Sequence, residues 1–248
     1  MISIKSDREI ELMREAGKYN MLTFKEVEKY LKPGVTTKKL DTIIHDFIIK
    51  NGCVPATLGY EGYPASVCIS INDEVVHGIP GKRIIKDGDI VKIDLVISYK
   101  GYHADATRTY VIGDVPSDIK DLVDNTKKAF YAGVSVLKDG VRIKDISKAI
   151  EDYAHSHGLS VVEELVGHGI GTKMHEEPDI PNFNTFDSTR LKAGMTIAIE
   201  PMLNLGSKDI YIEDDDWTVK TIDGKPSAHY ENTVLVTKDG YEILTGED

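Results

Sequence analysis

The feature that most constrains this chain is an internal repeat. "LKPGVTTKKLDTIIHDFIIKNG" (31–52) lies over "LKDGVRIKDISKAIEDYAHSHG" (137–158) without a gap, with 8 of 22 positions identical and an offset of 137 − 31 = 106. At the same offset "KDGDIVKID" (86–94) lies over "KAGMTIAIE" (192–200), which sets Asp94 on Glu200 in the same kind of apolar strand. Further on, "YHADATRTYV" (102–111) lies over "AHYENTVLVT" (228–237) at an offset of 228 − 102 = 126, matching His103 with His229, Asp105 with Glu231 and Thr107 with Thr233. The second half has therefore gained 126 − 106 = 20 residues of loop. Chance explains one match of short charged segments but not a second at an unchanged offset. The expected class is α+β, a duplicated α/β unit with its halves facing each other across a pseudo-twofold axis, roughly 1–115 and 116–248 of one domain, 1–248. Each half brings two carboxylates to the middle.

The local pattern supports this reading. Ser6 with Glu9 three residues on forms a capping-box signature, and apolar residues recur at Ile10, Met13, Met21, Phe24, Val27 and Leu31 before Pro33–Gly34 stops the helix. Further helices are expected over Thr37–Lys50, Ser117–Lys138 and Ile143–His157, with Gly52 and Gly158 as stops for the first and last of these. Strands are expected in "VCISI", "DIVKIDLVISY", "TRTYVIG", "GMTIAIEPML", "WTVKTI" and "ENTVLVT", all rich in β-branched or aromatic residues.

Composition closes off several functions. The start "MISIKSDREIELMREAGK" is too charged for a secretory signal, and no stretch approaches a membrane span, so a cytoplasmic location without membrane contact is expected. Cys53 and Cys68 are the only cysteines, too few for a disulfide framework or a thiolate metal cage. A net charge of −11 with no basic patch argues against specific nucleic-acid binding.

The repeated acids stand among apolar neighbours, where an unpaired carboxylate is costly. Pairing with Lys or Arg would make them structural, yet Lys92 is the nearest cation on those strands. Four acids on one axis repel each other, and a divalent cation removes that conflict. Oxygen ligands with one or two imidazoles suit Mn, Fe, Co or Zn, and four carboxylates offer enough oxygens for two ions. Three histidines lie in loop-like settings: His77 in "VVHGIPG", His168 in "VGHGIG" and His175 in "MHEEP". The glycines around His168 are read as leaving room for its ring and for substrate. His45, His155 and His157 fall on charged helix faces and read as solvated, whereas His103 and His229 read as strand residues or as partners of the repeated acids, the former being favoured.

The set "HGIPG" (77–81), "KIDLVISYKGYHADATRTYVIG" (92–113), "VGHGIGTKMHEEP" (166–178), "IAIEPM" (197–202) and "HYENT" (229–233) resembles the type I methionine aminopeptidases, in order and over essentially the whole chain. The resemblance implies a pita-bread fold, two α/β halves around a central, mainly antiparallel sheet and a dinuclear metal site. Its ligands would be Asp94, Asp105, His168, Glu200 and Glu231, holding two divalent ions of Co, Mn, Fe or Zn type. His77, His175 and Glu200 would be catalytic: Glu200 as proton shuttle, His175 on the oxyanion and His77 on the leaving-side amide. His77 and His175, with Tyr60, Tyr63, Cys68, Met174 and Trp217, would contact substrate. Met174 stands where bacterial members often carry Phe, and Thr57 where many carry Cys, which puts the outline of the pocket in question. The implied activity is removal of N-terminal methionine from nascent chains whose second residue is small, by a monomer with a transient ribosome contact. Two rivals share the architecture: a proline dipeptidase or aminopeptidase P, usually with an additional N-terminal domain, and a binding protein that keeps the fold without catalysis.

Overall fold

A computed structural model describes residues 2–246; Met1 and the last two residues of the expected domain lie outside them. In chain order the elements are α1 (Asp7–Val27), a 3-10 turn, α2 (Thr37–Lys50), β1 (Val54–Pro55), β2 (Cys68–Ile71), β3 (Glu74–Val76), β4 (Ile90–Tyr99), β5 (Tyr102–Val111), α3 (Ser117–Ser135), α4 (Ile143–Ser156), β6 (Ser160–Val161), β7 (Gly167–Gly169) and β8 (Glu176–Ile180). There follow β9 (Thr196–Ile199), β10 (Met202–Asn204), β11 (Ile210–Ile212), β12 (Val219–Thr221), β13 (Ser227–His229), β14 (Glu231–Val236) and β15 (Tyr241–Ile243). The main sheet runs β1-β4-β5-β14-β9-β7-β8, with β2 also on β4 and β15 on β14. All its pairings among the described residues are antiparallel.

The repeat survives as geometry. Isolated bridges join Thr36 to Ile84 and Arg142 to Arg190, both pairs shifted by 106. The flanking hydrogen bonds match too: Ile85 N–H donates to Val35 O at 2.8 Å and Leu191 N–H to Val141 O at 2.9 Å. The halves meet where β5 pairs β14. There Thr107 Oγ1 donates to Glu231 Oε2 at 2.8 Å, and Asp105 N–H donates to Thr233 Oγ1 at 2.9 Å, so the second contact involves the repeat-equivalents of the first pair.

Strand alternation aims the acids. Val91, Ile93, Leu95 and Ile97 enter one core with Phe24, Leu40, Ile44 and Ile48 of α1 and α2, which leaves Asp94 on the opposite face. In the second half Ile197 and Ile199 enter a separate core with Phe130, Ile146 and Ile150 of α3 and α4, which sends Glu200 the other way. Helix starts are fixed locally: Glu9 accepts from the Ser6 N–H at 2.8 Å, and Thr36 Oγ1 from the Lys39 N–H at 3.2 Å.

Four sequence expectations need correction. The α1 path tightens into 3-10 geometry over Glu28–Tyr30, and α3 ends at Ser135 rather than Lys138. The strand expected from Thr107 already starts at Tyr102, where the polar run "YHADA" hides a fully paired hairpin arm. The single strand expected in "GMTIAIEPML" is two, β9 and β10, lying in different sheets. Pro201, with no N–H to give a ladder, separates them immediately after Glu200.

Candidate metal centre

Four of the five expected ligands, Asp105, His168, Glu200 and Glu231, come together, and Asp94 lies within electrostatic range of the acids among them. His168 is buried in β7, and its Nδ1 lies 2.9 Å from Gly169 O. A carbonyl can only accept, so Nδ1 carries the proton and Nε2 turns a lone pair outwards. Burial holds this imidazole neutral, its pKa lowered to about 3. That lone pair faces Glu200 Oε1 at 3.6 Å and Asp105 Oδ2 at 3.8 Å. Glu231, at the start of β14, joins both donor groupings whose ligand atoms lie within 4.8 Å of one another: Asp105–His168–Glu231 and Glu200–His229–Glu231. Asp94 stands opposite Cys68 and Thr107 in its ladders; burial raises its pKa, and the neighbouring His229, then the Thr107 and Cys68 side chains, oppose that rise. Asp105, Glu200 and Glu231 are all held well above the ordinary carboxylate range, by burial first and then by neighbouring carboxylates.

The nearby cations are committed elsewhere. Lys92 donates its ammonium to Asn72 O at 2.8 Å and Ser227 O at 2.7 Å, while Arg108 donates to Glu231 O at 2.7 Å and to Asn232 Oδ1 at 2.8 Å. Gly167 and Gly169 differ from expectation. A Cβ on Gly167 would lie 2.4 Å from Ala198 O, and one on Gly169 would lie 2.2 Å from Glu177 O. These glycines admit the backbones of β9 and β8 against β7, rather than making room for substrate.

His168 and His175 meet edge to face, 4.2 Å between ring centres, at a cleft of about 580 Å³ also lined by Val166, Thr172 and Glu176. His175 Nδ1 lies 2.7 Å from the Tyr60 hydroxyl, so Tyr60, expected as pocket lining, grips a histidine. Glu176, the first acid after His175, is tied to the buried Lys5 at 2.8 Å and accepts from the Lys173 N–H at 3.2 Å, closing the turn that presents His175. Tyr63, Cys68 and Trp217 pack together with Ile79, the Tyr63 and Trp217 rings 5.0 Å apart, and His77 lies 6.3 Å from Trp217. Burial lowers the His77 pKa to about 4 and raises those of Tyr63 and Cys68, so all three are neutral near pH 7. Met174 and Thr57 are both buried, and Thr57 Oγ1 has no hydrogen-bond partner among the described residues.

Among the remaining histidines, His155 and His157 are exposed as expected. His45 is not simply solvated, because it is half-buried with Nδ1 2.8 Å from Ser66 Oγ. His103 contacts Gly171 O at 3.1 Å. His229 departs furthest from a plain strand residue: it is buried, with Nε2 3.6 Å from Glu200 Oε2.

Metallopeptidase family M24 matches residues 11–238 of the chain. The chain belongs to that family. It falls among the family's methionine aminopeptidases, being 46% identical over 246 residues to methionine aminopeptidase 1 of Bacillus subtilis, with 99% of each chain covered. The structure of methionine aminopeptidase from Rickettsia prowazekii superposes with a TM-score of 0.97 at 41% identity, over 99% of this chain and 100% of that one. A Xaa-Pro dipeptidase from Bacillus anthracis is more distant, at 25% identity and a TM-score of 0.80, and this chain spans 62% of its length. The architecture is thus the pita-bread fold of these M24 enzymes.

An M24 metallopeptidase uses divalent metal, and the donor set fits one. A neutral imidazole lone pair faces two carboxyl oxygens without hydrogen-bonding either, and Asp105 Oδ1 is buried with no hydrogen-bond partner among the described residues. Donors that each lie about 2.1 Å from one cation stand at most about 4.2 Å apart. The 3.6 and 3.8 Å separations fall inside that limit and beyond hydrogen-bond length.

Proposed function

We propose that this chain removes N-terminal methionine from nascent proteins and peptides, acting as one unit whose two halves each lend two carboxylates to a dinuclear centre. The observation that carries the reading is the Glu200–His168–Asp105 grouping, whose His168 lines one cleft together with His175. Asp94, Asp105, His168, Glu200 and Glu231 are assigned as the residues that hold two divalent ions of the Mn, Fe, Co or Zn class. Such ions supply Lewis acidity and lower the pKa of a water to about 7.

The protein's own groups do the rest. Glu200 follows the strand end and is assigned the proton shuttle, taking a proton from water and passing it to the leaving amine. His175 donates to the carbonyl oxygen as negative charge develops there, and with the Tyr60 hydroxyl donating to Nδ1, it is Nε2 that carries the donated proton. Neutral His77 faces the leaving-side amide. Tyr63, Cys68 and Trp217 offer a neutral, apolar and aromatic wall suited to an unbranched thioether, and Met174 and Tyr60 are assigned to the same substrate pocket. A bulky second residue would keep the amide from the centre, so small second residues are accepted. The substrate class arises in the cytoplasm, where we place the activity.

The test is a peptide competition. Metal-loaded protein should release methionine from Met-Ala-Ser and leave an Xaa-Pro peptide intact. Preferential cleavage of the Xaa-Pro peptide would transfer the chain to the dipeptidase branch, and no cleavage with any of Mn, Fe, Co or Zn would favour a binding protein.

A further inference from the structure

His229 is the one histidine at this centre that neither the repeat nor the family resemblance puts to use. Its repeat-equivalent, His103, has an acceptor for Nδ1 in Gly171 O. His229 has none: both ring nitrogens are buried without a hydrogen-bond partner among the described residues, on a side chain 2% exposed. Its position is nevertheless fixed. The backbone pairs with Met202 of β10, immediately beyond Glu200–Pro201, and Thr109 Oγ1 clasps it from the other side, accepting from His229 N–H at 3.1 Å and donating to His229 O at 2.7 Å.

So held, the ring points at the acids. Nε2 lies 3.6 Å from Glu200 Oε2, while His168 Nε2 lies 3.6 Å from the other oxygen, Oε1, so one carboxylate is bracketed by two imidazoles. The His229 separation is too long for a hydrogen bond and within the span of two donors sharing one cation. Glu200, His229 and Glu231 bring their ligand atoms within 4.8 Å of one another, a grouping separate from the one that contains His168. Asp94 is in electrostatic range of the same ring.

We propose that His229 is a sixth metal-ligating side chain of this centre, binding through Nε2 the ion that Asp94 and Glu231 help to hold. The inference rests on the metallopeptidase reading above. Its chemical consequence is one imidazole per ion, so that neither position is an all-oxygen site, and both prefer borderline ions such as Co, Fe or Zn over Mg.

Cobalt(II) itself is the probe. Metal-free protein titrated with Co²⁺ in H₂O and examined by proton NMR should show two strongly shifted, solvent-exchangeable imidazole N–H signals, one for each ligating histidine. His229→Gln should lose one signal and bind the second equivalent of Co²⁺ at least about tenfold more weakly, with the first equivalent little changed, since even changes around a ligand cost about that much. A single shifted N–H in the unaltered protein overturns the proposal and leaves the metallopeptidase reading standing; this count decides even if the variant does not fold. Two signals that both persist in folded His229→Gln, or an unchanged second affinity, overturn it equally. Failure of the unaltered protein to take up any Co²⁺ overturns the metallopeptidase reading along with it.

Discussion

Asp94 and Glu200 are equivalent by the repeat, yet the structure treats them differently. Asp94 stands mid-strand in β4, which continues to Tyr99 and is paired on both sides, to Cys68 of β2 and Thr107 of β5. Glu200 stands just past the end of β9, where Pro201 stops the ladder after four residues. The first carboxylate is flanked in its ladders by Cys68 and Thr107, whose side chains oppose the rise that burial causes in its pKa. For the second the named neighbours are imidazoles 3.6 Å away on either side. Duplication therefore supplied four acids, and the strand break in one copy suits the proposed division between an anchoring ligand, Asp94, and a proton shuttle, Glu200.

The largest effects should test that division. Asp94→Ala or Glu231→Ala should abolish turnover with loss of bound metal, because each removes a fixed, charged donor. Glu200→Gln should lose turnover as completely while keeping more metal, its amide still offering one oxygen. Metal analysis of the purified variants checks this. Equal metal content in Asp94→Ala and Glu200→Gln would erase the distinction between anchor and shuttle.

His175 belongs to neither copy's acid pair, so His175→Ala should leave metal content intact while lowering kcat by about a hundredfold or more, as loss of an oxyanion donor does. A parallel fall in metal content would make it a ligand. Tyr60→Phe should give a smaller loss in the same direction, since it removes only the group that orients the ring.

Much of this was legible in the sequence, and the reasons differ by element. The repeat marked the four acids and the halves because helices and turns with fixed spacing leave an alignable trace; the Thr36–Ile84 and Arg142–Arg190 bridges are that trace in three dimensions. The strands β7 and β8 were not legible. Their segment "GHGIGTKMHEEP" shows no alternation, its β-branched residues Ile170 and Thr172 fall outside both strands, and its pairing depends on glycines that let backbones approach. The role of Tyr60 was also hidden, because 115 positions separate it from His175 and no local pattern reports such a contact. His229 had a signal in its match to His103, but only burial shows that one is satisfied and the other is not.

The acids also predict how metal uptake depends on pH. Burial and mutual repulsion hold Asp105, Glu200 and Glu231 well above the ordinary range, so the metal-free cluster retains protons that a carboxylate in water would have lost. A raised folded pKa means that the metal-free fold is least penalised below the unfolded value and loses stability as pH rises through the folded one. Metal binding needs the deprotonated ligands and relieves their repulsion. Uptake should therefore release protons, and affinity should rise with pH. Titration calorimetry in buffers of different ionisation enthalpy measures the release; a value of zero near pH 7 would mean the acids were already ionised, held by hydrogen bonds rather than raised by one another.

The smallest expected effect lies at Met174, on the loop between β7 and β8, immediately before His175. Met174 is buried, and its flexible thioether can repack around side chains that a rigid ring would reject. Met174→Phe should sharpen selectivity for methionine over leucine or norleucine at the first position by a few-fold, on the order of 1 kcal/mol, the scale that a methylene-sized change in a hydrophobic pocket commands. The change should fall on KM more than on kcat, because the residue shapes binding and leaves the histidine before β8 in place. A peptide panel varying only the first residue measures it. Unchanged ratios would move the determinant of side-chain selectivity wholly to Tyr63, Cys68 and Trp217, and an equal loss of kcat on every peptide would mean that the larger ring had displaced His175 instead of narrowing the pocket.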